Sequence, residues 1–296
     1  MAVRPPASVI VPFAGSESEL EVLLSALMQL RLADGDELIV ADNRPDDPDA
    51  ERHGTEHGPI SVIPAGGISS PGFARNRAAA AARCEWLVMI DADTEPSPTL
   101  LDAYFTPPPA PATAILAGGI IDRAATAGLA GRHSAGRAQM DQVTTLRRGS
   151  WSYAQSANCA VRRAPFVALG GFDELARAGE DADLCFRLRA EGWAIEPRPA
   201  ASVIHRSRAT IPALLAQLAR HGAGAAWLQA RYPGSFPPPT RLRFLARLAR
   251  SARAAALAGA GGDGDGAYRA ALEIGEACAF EGGRLLSNRA RISRIA

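Results

Sequence analysis

The chain has 296 residues, 47% hydrophobic and 21% charged, the make-up of a folded globular protein, which excludes a wholly disordered or fibrous chain. Its 32 basic and 31 acidic residues leave a formal charge of +1, which argues against a dedicated nucleic-acid binder. The sequence holds no lysine, so a phosphate-loop lysine, a Schiff base to a pyridoxal cofactor and a lysine general base are all excluded.

Residues 8–12 form a short apolar run that predicts a buried strand. Ser16 and Glu19 make a capping box, and Leu20, Leu23, Leu24 and Leu27 follow at helical spacing. Residues 37–41 and 60–63 predict two further strands. Ser70 and Pro71 open a helix through Ala82, whose small Ala78, Ala79 and Ala82 suit close packing on a sheet. Residues 86–90 predict a strand that ends abruptly at Asp91. Strands alternating with helices imply a parallel sheet covered on both faces. Ligands of such sheets bind beyond the carboxyl ends of the strands, where Asp42 and Asp91 stand.

Beyond the prolines at 107–109 the pattern changes. A strand is predicted at 114–121, and the polar, arginine-rich stretch 122–155 reads as a long loop region of the kind that is often functional. A strand at 157–161, a short helix opened by Pro165 and closed by Gly170-Gly171, a helix at 181–191 and a strand at 202–205 follow. Thr210 caps a helix running to Gln229. The prolines at 237–239 mark a boundary, and the helical tail is interrupted at 259–266. The chain thus divides into a domain at 1–235 and a helical extension at 236–296.

Two carboxylates in Asp91-Ala92-Asp93, directly after an apolar strand, are costly to bury unpaired. They suit a solvated strand-end turn, or a divalent cation such as Mn2+ or Mg2+ that takes one or two carboxylates plus phosphate oxygens. Asp181, Leu184, Cys185 and Leu188 share one helical face, so Asp181 is either a helix cap or a general base at a pocket wall. Glu180 and Asp183 would raise its pKa and the helix dipole would lower it. His205 closes a strand and is a structural residue unless Asp93 and Asp181 share its cleft. After the first strand comes Pro12-Phe13-Ala14-Gly15-Ser16, not a dinucleotide fingerprint, and no G-x-S-x-G elbow occurs. Cys84, Cys159, Cys185 and Cys278 lack C-x-x-C spacing, so neither a zinc site nor a disulfide framework is indicated and a reducing, cytoplasmic setting is expected. The opening residues pass straight into a strand-like run, so no signal peptide is expected, and no apolar stretch of about 18 residues predicts a membrane span.

In order along the chain, Val9–Ala14, Asp42, Gly72-Phe73-Ala74-Arg75-Asn76-Arg77, Asp91-Ala92-Asp93, 157–163, Gly170-Gly171-Phe172-Asp173-Glu174 and the Glu180-Asp181 helix resemble the family-2 glycosyltransferases over about residues 7–230. The resemblance implies the GT-A fold: an α/β architecture with a Rossmann-like mixed sheet flanked by helices, here with a C-terminal helical extension. It implies a metal-dependent, inverting transfer from a nucleoside diphosphate sugar to an acceptor hydroxyl or other nucleophile. On this reading Pro12, Phe13, Asp42, Arg75, Asn76, Asp91 and Ala92 bind the donor, and Asp93 with His205 holds Mn2+ or Mg2+. Asp181 is the general base, and Trp151, Asn158 and Glu180 lie on the acceptor side. The stretch 123–156 would close over both substrates. The Tyr-Asn frequent after the first strand is missing, and Asn43-Arg44-Pro45 replaces the usual turn after Asp42, so the base of the donor stays open. Gln217 and Arg220 are followed by His221, not Trp, which points away from a processive synthase. The rival functions are a non-catalytic sugar-nucleotide-binding or scaffold protein and a sugar nucleotidyltransferase. The acceptor remains open among small molecules, lipids, glycans and peptides. In the tail, Arg241, Arg243, Arg247, Arg250 and Arg253 stand beside Leu242, Leu245, Leu248 and Ala252 without an intervening acid. That basic amphipathic helix, over 241–257, suits either peripheral contact with the inner membrane face or packing on the catalytic domain or a homo-oligomer partner.

Overall fold

The computed structural model describes residues 4–44, 55–124, 126, 128, 131, 133, 140–207 and 210–292. The chain begins with β1 (Ala7–Phe13), α1 (Glu17–Leu27), β2 (Glu37–Asp42), β3 (Thr55–His57), β4 (Ile60–Pro64) and β5 (Ile68–Ser69). Next come α2 (Pro71–Ala81), β6 (Trp86–Ile90), β7 (Thr94–Pro96), α3 (Leu100–Tyr104), β8 (Thr113–Arg123) and α4 (Gln142–Leu146). A single 3-10 turn (Gly149–Trp151) precedes β9 (Asn158–Arg162), α5 (Arg163–Ala168), α6 (Glu180–Ala190) and β10 (Ala194–Arg206). The last elements are α7 (Ile211–Arg231), α8 (Arg241–Ala260), α9 (Gly264–Gly283) and β11 (Arg291–Ile292).

Two compact units result: one from Met1–Asp122, Met140–Arg206 and Arg289–Ala296, the other from Arg123–Gln139 and Ser207–Asn288. The division falls at 206/207 rather than at 235/236, because α7 packs against α9 and α9 against α8. The expected loop at 122–155 is not one segment. Its end, with α4 and the 3-10 turn, belongs to the first unit, and part of 125–139 lies outside the described residues.

Among the described residues the first unit holds a mixed sheet of nine strands in the order β3-β4-β2-β1-β6-β9-β8-β10-β7. The strands β4, β2, β1 and β6 are mutually parallel, and β9 runs antiparallel to β6. This is the α/β mixed sheet of the expected fold. Both faces of β1 are buried. Val9 and Val11 pack with Leu20, Leu23 and Leu27 of α1, while Ile10 packs with Ala74, Ala78 and Ala79 of α2. Full burial of a leucine such as Leu23 contributes about 2 kcal/mol. The capping box at Ser16 and Glu19 starts α1 as read, and Ser70 caps α2 with Pro71 in its first turn. Successive strands lie on either side of β1, so the carboxyl ends of β1 and β6 open at a topological switch point. Among the described residues no helix is long and apolar enough to cross a membrane.

Candidate active site

Register sets the first wall of the site. Phe13 of β1 lies beside Asp42 of β2, and the backbone N–H of Asn43 donates to Phe13 O at 2.6 Å. The Asn43 amide donates to the carbonyls of Ala65 and Ile68 and locks the strand ends together. Asp42 is buried and gripped by Arg44, whose Nη2 reaches Oδ2 at 2.6 Å and whose Nε reaches both carboxylate oxygens. The same guanidinium lies over the Phe13 ring, 5.4 Å from its centroid, and pairs with Glu17 at 2.8 Å. Pro12 is partly exposed in the same strand end.

The second wall is built around Arg75 on the inner face of α2. Gly72, one turn earlier, lets that face approach the chain at 172–173: a Cβ there would stand 3.1 Å from Asp173 O and 3.2 Å from Phe172 Cβ. Buried Arg75 donates to Asp91 at 2.5 Å and to Glu180 at 3.1 Å, and its Nε has no partner among the described residues. Burial opposes its charge, but the two carboxylates outweigh that and hold its pKa above the ordinary value. Burial raises the Glu180 carboxyl, and Arg75 opposes the rise. The carboxylates of Asp91 and Glu180, far apart in sequence, thus meet on one guanidinium.

Asp181, the next residue of α6, is only partly buried. The helix is capped by Gly179, not by Asp181, and Leu184, Cys185 and Leu188 are buried as its periodicity predicts. Burial lifts the Asp181 carboxyl from 3.8 to about 7, and the Glu180 charge adds to the rise. The N–H of Ala182, at 2.7 Å, the Arg75 charge and the N–H of Ser156 pull the other way. A carboxyl that changes state near neutrality and keeps access to solvent has the properties of a general base.

The Asp91-Ala92-Asp93 segment is a turn closed by the Thr94 N–H and hydroxyl on Asp91 O. Pairing of β7 with β10 sets Thr94 opposite His205. His205 Nε2 stands 3.7 Å from Asp93 Oδ2, and Nδ1 is 2.7 Å from Asp122 Oδ1. Burial disfavours the imidazolium, but the Asp122 and Asp93 carboxylates outweigh it and lift its pKa to about 9. Ala92 packs against the core beneath the turn. Asp122 is a site residue that the sequence reading did not include; the predicted strand stopped one residue before it.

Three other predicted residues take positions of a different kind. Asn76 spends its amide on the 171–174 turn: Nδ2 donates to Phe172 O and Glu174 Oε1, and Oδ1 accepts from Phe172 N–H. Asn158 is fully enclosed. It accepts from Tyr104 Oη at 2.6 Å and donates to Gly119 O and Ala201 O, so its side chain braces α3, β8 and β10 and reaches no surface. Trp151 is partly exposed and meets Phe186 of α6 edge-on, with centroids 5.1 Å apart.

A family profile described as "Glycosyl transferase family 2" matches residues 8–168. Two proteins of Mycobacterium tuberculosis, from strains CDC 1551 / Oshkosh and ATCC 25618 / H37Rv, are each described as "Pre-mycofactocin glycosyltransferase". Each is 27% identical over 235 residues, 78% of this chain and 49% of its own length. The chain therefore spans about half the length of the curated relatives it matches. Among solved structures, the mannosyltransferase PcManGT from Pyrobaculum calidifontis, in complex with GDP-Man and Mn2+, is similar with a TM-score of 0.61 and 19% identity. That match covers 96% of this chain and 88% of the other. A structure titled "Crystal Structure of a Mycobacterial Protein" gives 0.52 and 18%, over 80% of this chain and 76% of that one. These likenesses are to the fold. Asp181 and His205 lie beyond the family match, so their place in the site rests on geometry.

Proposed function

The chain belongs to glycosyl transferase family 2, and we propose that it moves a sugar, with inversion at the anomeric carbon, from a nucleoside diphosphate sugar to an acceptor hydroxyl. One observation carries this reading: Arg75 gathers Asp91 from the end of β6 and Glu180 from the start of α6, with Asp181 alongside. A donor phosphate end and an acceptor-activating base thereby share one site.

Asp181 takes the proton of the acceptor O–H as its oxygen attacks the anomeric carbon. The bond from that carbon to the diphosphate oxygen breaks, and the diphosphate leaves with the electron pair. Arg75 holds Asp91 and Glu180 in place and opposes the rise that burial gives the Glu180 carboxyl, and the Glu180 charge in turn lifts Asp181. Asp42 and Phe13 bound the nucleoside end. Asp42 accepts from the base there, and Arg44 must yield or share that carboxylate. Trp151 walls the acceptor side.

The donor set at the Asp91–Asp93 turn fits Mn2+ or Mg2+. Asp93 would offer an oxygen and His205 Nε2, on giving up the proton that its raised pKa keeps there, a nitrogen facing it, while Asp122 fixes the other ring nitrogen, as outer carboxylates do for ligating histidines. Among the described residues no three His, Cys, Asp or Glu side chains form a metal-holding group, so diphosphate oxygens and water would complete the shell. Asp93 and His205 would hold such a cation, which would supply positive charge where the departing diphosphate gathers negative charge. The proposed setting is cytoplasmic, where the four free cysteines stay reduced.

Calorimetric titration of a panel of nucleoside diphosphate sugars with Mn2+ present tests the reading, with GDP-mannose first because the solved neighbour holds it. At least one donor should bind and be consumed. Chelation should stop turnover and added Mn2+ restore it. Consumption of nucleoside triphosphates alone, or of no donor at all, would refute it.

A further inference from the structure

We propose that α8 is an interfacial helix that lies on an anionic lipid surface. The helix has two apolar faces, and among the described residues only one is packed inside the protein. Phe244, Leu248, Ser251, Ala255 and Ala258 recur at helical spacing and are its least exposed residues. That face meets α9, where the Ser251 hydroxyl donates to Glu273 at 3.1 Å. The opposite face carries Leu242, Leu245 and Leu257, exposed at 78%, 60% and 62%, in line with Ala246, Ala249 and Ala256. A helix that only packs on its own protein has no need of that second stripe.

The charges around the stripe say what covers it. Arg243, Arg247 and Arg250, at i, i+4 and i+7, run along one border; Arg241 stands on the other, and Arg253 lies within the stripe. Residues 241–260 contain no Asp or Glu, and none of these five arginines has an ion pair or side-chain hydrogen bond among the described residues. A second copy on this face would bring like-charged guanidinium rows together, whereas a sheet of anionic headgroups accepts them. The stems of arginine can lie along apolar surface while the heads reach phosphate. Leu285 and Leu286, exposed at 90% and 58%, extend the surface, because Arg284 ties the end of α9 to Phe236 O just before α8. The helix lies on the bilayer and does not span it.

Co-sedimentation of the whole chain with vesicles tests the proposal. Vesicles of equal parts phosphatidylglycerol and phosphatidylcholine should bind it, pure phosphatidylcholine vesicles should bind it far less, and raising salt to about 0.5 M should weaken the binding. Replacing Arg243, Arg247 and Arg250 by Gln should cut partitioning about a hundredfold. The Leu242→Gln, Leu245→Gln, Leu257→Gln triple variant should cut it about tenfold or more while circular dichroism stays unchanged. Equal partitioning onto both vesicle types overturns the proposal. So does retention of vesicle binding by the leucine variant, tighter binding to RNA than to anionic vesicles, or a wild-type dimer that the leucine variant dissolves.

Discussion

At Asp181 burial and a neighbouring charge win over two N–H donors, and the balance makes a chemical prediction and a stability prediction. Its carboxyl rises to about 7 in the folded chain against an ordinary 3.8. The folded state therefore favours the protonated form. The associated stability is full below the ordinary value and is lost as pH rises through about 7. Asp181→Asn, which cannot ionise, should melt higher than the wild type at pH near 8 and at a similar temperature at pH near 4. The same variant should bind donor normally and lose transfer by about 10²–10⁴-fold. In the wild type, kcat/KM should climb as pH rises to about 7 and then level off. A pH-independent rate would remove Asp181 from the role of base. Arg75 carries the opposite lesson. Arg75→Met strands two carboxylates, one of them buried, and should cost about 3–5 kcal/mol in urea unfolding. Arg75→Lys should recover only part of this, because a single ammonium cannot fork to Asp91 and Glu180 as the guanidinium does.

Elements meet through a few side chains that have no local signature, and Asn158 is the clearest. One amide joins β9 to α3, β8 and β10 through Tyr104, Gly119 and Ala201. Asn158→Ala leaves those buried groups unpaired and should cost about 3 kcal/mol, seen as a lower urea midpoint. Asn158 was legible as part of a family segment, but its role was not, since its partners lie 39 to 54 residues away. The parallel strands were legible because each is a continuous apolar run, as at Trp86–Ile90, and the helices because Ser16, Ser70 and Thr210 cap them. The first half of β10 was not legible, because Pro197 and Pro199 argue against a strand. β7 pairs with Val203–His205, beyond both prolines. At the site, Asp91, Asp181 and His205 stood out at the ends of elements. The Arg44 grip on Asp42, the reach of Arg75 and the Asp122 support of His205 are contacts that only tertiary structure creates.

For the whole molecule, the two units make independence of unfolding a measurable property. In the second unit, α7 and α9 come so close that glycine is required at the crossing: a Cβ on Gly222 would clash with the backbone oxygen of Phe280, and one on Gly283 would strike the backbone of Ala219. Backbone cannot swing aside as a long side chain can. Gly222→Val must therefore separate the two helices, and its cost should exceed the about 1–3 kcal/mol of ordinary overpacking. Among the described residues the sheet unit contains its own apolar clusters on both faces of β1, built from its own strands and helices. Hydrogen exchange should then show amides of α7 and α9 losing protection in Gly222→Val while those of β1 and β6 keep theirs. Equal loss in β1 would mean that the units unfold as one. The same experiment bears on the chemistry, since Arg75, Asp91, Asp93, Asp181 and His205 all belong to the sheet unit. If the units are independent, the variant should retain donor binding while its helical unit opens.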